Sequence, residues 1–161
     1  VCFIHFIGED ADLLQGESSM ATIKILILTA NPRNTDALRL GEEVRNIQAE
    51  LERAINRDYF QLVSQWAVRV DELMNALLDH HPHIVHFSGH GGGEHGLVLE
   101  DDAGNAQLVS TKALARLFGQ FRSTVKCVFL NKLHCIKSYI IYLSKSHCFI
   151  KVGRRPKGEV F

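Results

Sequence analysis

"IKILILTANP", residues Ile23 to Pro32, is a nearly continuous aliphatic run closed by Asn31-Pro32. A strand with one face in water alternates apolar and polar residues. This run does not, so apolar layers are expected against both of its faces. It reads as a central strand of a parallel sheet.

Downstream, short β-rich runs alternate with helical periods. Asp36 is placed to cap a helix in which Leu40, Val44, Ile47, Leu51 and Ile55 recur at three- and four-residue spacing, with Glu42, Glu43, Arg45, Glu52 and Arg53 facing outward. "YFQLVSQW" (Tyr59 to Trp66) alternates as a second strand, and Asp71 opens a helix through Leu73, Met74, Leu77 and Leu78. "HIVHFSG" (His83 to Gly89) is a third strand. "GLVLE" and "AQLVS" form a hairpin through Asp102-Ala103-Gly104-Asn105, each a turn-compatible residue. Ser110 caps "TKALARLFGQF", whose Leu114, Leu117, Phe118 and Phe121 share one stripe, and "VKCVFLN" (Val125 to Asn131) is the fourth strand.

Such alternation implies a parallel sheet covered by helices, with chemistry beyond the carboxyl ends of its strands. Two segments claim that position: the loop after the third strand and the residues after Asn131. If those strands are neighbours, their ends lie about 5 Å apart, or about 10 Å with one strand between.

Composition narrows the classes. At 161 residues, 46% hydrophobic and 22% charged, the chain can bury one sizeable core, which excludes disordered and collagen-like classes. Lys plus Arg equals Asp plus Glu, 18 against 18, so no charge argument favours nucleic acid or an anionic membrane. The balance is uneven along the chain. After Asn131 seven basic residues face one acidic residue, a net of +6, which leaves −6 on residues 1 to 131. A basic tail docked on an acidic body and a tail not shaped with the rest are both compatible with this swing.

Cys2, Cys127, Cys135 and Cys148 form no C-x-x-C pair, which suits a reduced, cytoplasmic setting. No apolar stretch reaches the ~20 residues of a membrane span. The opening "VCFIHFI" lacks the basic region of a signal peptide, and Met20 is the expected natural start. The expected organisation is an N-terminal extension (1–19), an α/β domain (20–131) and a basic tail (132–161).

The loop "HFSGHGGGEHG" (His86 to Gly96) has four readings: phosphate cradle, metal site, catalytic base, or plain turn. Gly91, Gly93 and Gly96 satisfy G-x-G-x-x-G, but a hairpin follows where dinucleotide binding needs a helix N-terminus. His80, His81, His83, His86, His90 and His95 crowd together, yet His86 and His90 lie roughly 13 Å apart on an extended chain, far beyond the ~2 Å of a shared ligand shell. His80, His81 and His83 fit a solvated helix end and loop. An imidazole on a strand-end loop suits a general base, and Gly89 and Gly91 would let the backbone turn sharply and aim the N–H of Gly91 or Gly92 at an oxyanion. No metal or cofactor is called for. The base and the structural loop both stay open at this level.

The segments "KILILTANPRNTDALRLGEEVRNIQAEL", "HIVHFSGHG", "GLVLEDDAGNAQLVSTKALARLF" and "VKCVFLN" resemble the CHAT domain, a caspase-like cysteine peptidase domain of bacteria often joined to tetratricopeptide repeats. The resemblance covers residues 21 to 131, in the family's order and spacing. It implies a caspase/hemoglobinase-like α/β fold, incomplete in its C-terminal half, and a Cys-His dyad acting on protein or peptide substrates, with tetratricopeptide-repeat proteins as candidate partners. His90 matches the S-G-H-G histidine, and Gly91 the residue whose amide helps form the oxyanion hole.

The nucleophile departs from the pattern. Where the family runs into L-N-A-C-Y-S, this chain reads "LNKLHC", so Leu133 stands at the cysteine position. Leucine cannot act as a nucleophile. Cys135 lies two residues on, roughly 6.6 Å further along an extended chain, and is the one alternative thiol in that neighbourhood. Cys127, mid-strand, is expected to pack in the core. No fifth and sixth strands of the family can be read after Asn131. Three expectations follow: a truncated or frameshifted homologue without peptidase activity, a non-catalytic interaction or regulatory module, or an active peptidase using Cys135. An incomplete parallel sheet would also leave an apolar edge open to association.

Overall fold

The computed structural model describes residues 22–92, 95–132, 137–143 and 148–154, and it is an α/β structure. Strand β1 (Ile23–Ala30) leads to helix α1 (Leu40–Arg53), β2 (Phe60–Gln65), α2 (Val70–His80) and β3 (Ile84–Gly89). The hairpin β4 (Gly96–Glu100) and β5 (Ala106–Ser110) follows, then α3 (Thr111–Gln120), β6 (Cys127–Lys132), β7 (Lys137–Leu143) and β8 (Cys148–Arg154). The main sheet has the order β2-β1-β3-β6-β7-β8, and β4-β5 form a separate pair.

β1 pairs in parallel with β2 on one side and β3 on the other, and β3 pairs in parallel with β6. The aliphatic run of β1 is thus central, and its residues divide between two cores. Leu26, Leu28 and Ala30 pack with Leu73, Ala76 and Leu77 of α2 and Leu114 and Phe118 of α3. Ile25 and Ile27 pack with Val44, Ile47 and Leu51 of α1. This four-stranded parallel sheet with helices on both faces is the arrangement that the strand-helix alternation implies, and it is consistent with the caspase-like fold that the resemblance implies.

The parallel pairing ends at β6. Beyond it the sheet continues with β7, antiparallel to β6, and β8, antiparallel to β7. Sequence reading found no strands there, although "KSYIIYL" and "CFIKVGR" are rich in β-branched and aromatic residues. β6 is therefore not the open apolar edge expected of it, because β7 pairs along it from Cys127 to Leu130.

Other boundaries move for local reasons. Asp36 does not cap α1: the helix begins at Leu40 with Arg39 at the N-cap, since residues 31–38 are folded back by the Asn31 side chain, which accepts the Leu38 N–H at 3.2 Å. α1 ends at Arg53, and Ile55, expected on its apolar stripe, is 97% exposed. The second strand starts at Phe60 rather than Tyr59, which belongs to a short 3-10 turn. The hairpin strands and the Ser110 cap fall where expected; the Ser110 hydroxyl accepts the Ala113 N–H at 3.2 Å.

Candidate active site at the carboxyl end of the sheet

Chain connections leave β1 toward β2 and β3 toward β6, so the crevice between the carboxyl ends of β1 and β3 is the switch point of the sheet. His90 is the first residue beyond β3 there. All six residues of β3 are buried. Gly89 is needed for close packing rather than for a sharp turn: a Cβ would lie 2.8 Å from the Ala30 carbonyl oxygen and 2.9 Å from the Phe87 ring. Neither Gly89 nor Gly91 has a positive φ; among the described glycines Gly96 and Gly104 do.

His90 is 9% exposed, and its Nε2 lies 2.9 Å from the backbone carbonyl oxygen of Asp36. A carbonyl can only accept, so Nε2 carries the proton and the lone pair of the neutral ring sits on Nδ1. The Asp36 carbonyl belongs to a loop laced to the hairpin. Asn31 N–H donates to Glu100 Oε1 at 3.0 Å, Arg33 N–H to the Gly104 carbonyl at 2.9 Å, and Ala106 N–H to Asn34 Oδ1 at 2.7 Å.

The glycine amides divide. Gly91 and Leu97 form an isolated antiparallel bridge whose bonds come from flanking residues: Val98 N–H donates to the His90 carbonyl at 3.1 Å, and Gly92 N–H to the Gly96 carbonyl at 3.0 Å. Gly92 is thus corrected as an oxyanion donor, because its N–H is spent inside the hairpin. In this bridge geometry the Gly91 N–H points away from β4. β4 begins at Gly96, the last glycine of the motif, so among the described residues no α-helix N-terminus follows there to receive a phosphate.

Sequence reading missed the most connected polar residue near the site. Glu43, placed on the outer face of α1, instead turns its carboxylate to the sheet. Its Oε1 lies 3.3 Å from His86 Nε2 and accepts from Asn131 Nδ2, and its Oε2 accepts from the Ser88 hydroxyl. Burial pushes this carboxyl upward, but the His86, Ser88 and Asn131 contacts outweigh it and hold its pKa below the ordinary glutamate value. A signal existed. Glu43 stands three residues after Leu40 and four before Ile47, flanking the buried stripe, and His86 and Ser88 are polar residues in a fully buried strand that must find partners.

The other histidines separate from His90. His83 lies at the opposite end of β3 and is only half-exposed: its Nδ1 accepts the Lys24 N–H at 3.0 Å, which corrects its reading as a solvated loop residue. His81 is exposed at the left-handed end of α2, and His86 is 2% exposed and stacked on Phe129 at 5.7 Å between ring centres. Among the described residues, no three His, Cys, Asp or Glu side chains are placed to share a metal ion. No described helix is long and apolar enough to cross a membrane. Cys127 is buried between Ile84 and the α1 face. Leu133 and Cys135 lie outside the described residues.

No protein-family model matches the chain. Over 139 residues, 85% of this chain, it is 24% identical to a protein of Gillisia limnaea named "Probable protease". Over 92 residues, 56% of this chain, it is 30% identical to a "Roc-COR-CHAT protease" of an unknown prokaryotic organism. The aligned region covers 24% and 9% of those two relatives, so the chain spans a small part of either. The chain is therefore similar to proteins named as proteases, one of them a CHAT protease.

Proposed function

We propose that this chain is a CHAT-like, caspase-type peptidase homologue that keeps the base position at His90 and the oxyanion position at Gly91 but does not cleave peptide bonds. The observation that supports this most is the His90 ring itself. It is buried at the switch point of the sheet with its proton held on Nε2 by Asp36, so that Nδ1 is the basic atom. β6 is the in-register neighbour of β3, with Ser88 opposite Asn131. Two residues after Asn131 the chain carries Leu133, which has no proton for that base to take. The L-N-A-C-Y-S run of the family is not found after Asn131, and a frameshift there is the proposed origin; translating the DNA in its other frames and finding no A-C-Y-S-like continuation would dismiss it.

A second reading, a non-catalytic binding module, has its own observation. An open groove of about 670 Å³ lies between α2, the hairpin and α3, with Val70, Leu73, Met74, Val109 and Leu117 on its walls. Protein or peptide chains are the ligand class that the named relatives suggest.

The test is a peptide acyloxymethyl ketone, in which a thiolate displaces the carboxylate and leaves a thioether. The natural chain is expected to show no His90-dependent labelling. Leu133→Cys is expected to gain labelling at the new thiol, located by peptide mapping, and Leu133→Cys with His90→Ala to lose at least about 100-fold of that rate, the range of general base catalysis. Labelling of the natural chain that disappears in Cys135→Ala and in His90→Ala would instead make it an active peptidase using Cys135. Equal labelling with and without His90 in the Leu133→Cys chain would remove His90 from the site.

A further inference from the structure

Glu43 belongs to no part of the Cys-His chemistry, yet one buried carboxylate ties three elements together. It reaches from α1 to His86 and Ser88 on β3 and to Asn131 on β6. Ser88 and Asn131 are partners in the strand register, and the next pair is Gly89 and Lys132. The His90 loop departs directly after Gly89. Glu43 therefore clamps the β3–β6 pairing one pair before its end, where the histidine leaves the sheet.

The same helix also follows the loop that holds the His90 ring. Asp36, whose carbonyl fixes Nε2, lies four residues before the start of α1. A shift of α1 relative to β3 would move the Asp36 carbonyl and the His90 backbone independently and lengthen the 2.9 Å contact between them. Along this path the one polar tie between α1 and β3 among the described side-chain hydrogen bonds is made by Glu43.

We infer that Glu43 is a positioning residue for His90: by locking α1 to β3 and β6 it sets the distance between the Asp36 carbonyl and the imidazole, and so the tautomer that places the basic lone pair on Nδ1. The inference rests on the proposed role of His90 but is read out without any thiol.

The experiment follows the ring nitrogens of ¹⁵N-labelled full-length protein. In the natural chain His90 is expected to show the Nε2–H tautomer with a slowly exchanging ring proton. Glu43→Gln is expected to mix the tautomers and speed exchange of that proton by about tenfold or more, a loss of about 1.4 kcal/mol in the hold on the ring. Glu50→Gln, on the same helix and paired only with exposed Arg53, is expected to leave the His90 signals unchanged. Overall destabilisation speeds proton exchange but does not alter the tautomer of the folded population, so an unchanged His90 tautomer in cooperatively folded Glu43→Gln overturns the inference. If that variant does not fold, Ser88→Ala and Asn131→Ala each remove one leg of the clamp, and an unchanged His90 spectrum in both overturns it equally. Labelling of Leu133→Cys tests the thiol position separately, so the two failures are distinguishable.

Discussion

His83 and His90 flank the same buried strand and are governed by opposite neighbours. His90 faces a carbonyl and keeps a proton on the facing nitrogen. His83 faces the Lys24 N–H and must keep a lone pair there. Burial first, then the charges of Lys126 and Lys24, hold the His83 pKa below the ordinary histidine value. The folded chain thus binds this proton less tightly than the unfolded chain. Its stabilising share is complete above the ordinary value of 6.5 and is lost as pH falls below it. His83→Gln, which can still accept from Lys24, is expected to flatten the fall in stability between about pH 6.5 and 5, as read from urea midpoints across that range. A steeper fall than in the natural chain would contradict this.

Elements were legible where short-range chemistry decides them. Ser110 could be read as a cap because serine before a helical stripe has one local use, and its hydroxyl does accept the Ala113 N–H. Ser110→Ala is expected to cost about 1 kcal/mol, measured as a fall in Tm with an unchanged unfolding slope in denaturant. Asp36 offered the same local signal and misled, because Asn31 closes the preceding loop on Leu38 and postpones the helix to Leu40. The hairpin was legible for the reason Ser110 was: Gly104, with φ +76°, supplies the turn conformation that its sequence announces. β7 and β8 were not, since they pair antiparallel, with no helix between them among the described residues, and so fall outside the strand-helix alternation of the preceding chain.

At the scale of the molecule, the two cores on either side of β1 carry the fold. Leu28 is fully buried in the core under α2 and α3, whereas Ile55 projects into solvent although it continues the α1 pattern. Leu28→Ala is expected to destabilise by about 2–5 kcal/mol. Ile55→Ala is expected to change stability by less than about 0.5 kcal/mol, in paired denaturant titrations. Comparable losses at both positions would place Ile55 inside the core and reject this layering.

By itself the sequence determined the class of fold and where a candidate site is to be sought. A nearly continuous aliphatic strand is stable between two apolar layers, and alternating strands and helices leave the carboxyl ends of the strands open, where His90 follows β3. Set beside the family that it resembles, the sequence reads Leu133 where a cysteine is expected. Only the tertiary structure decided which His90 nitrogen faces the Asp36 carbonyl, that Gly92 is spent on the hairpin, and that Glu43 faces the sheet. Those outcomes depend on groups 43 to 88 residues apart in the chain or on backbone carbonyls that no side-chain pattern reveals, and they exist only once α1, β3 and β6 are packed together.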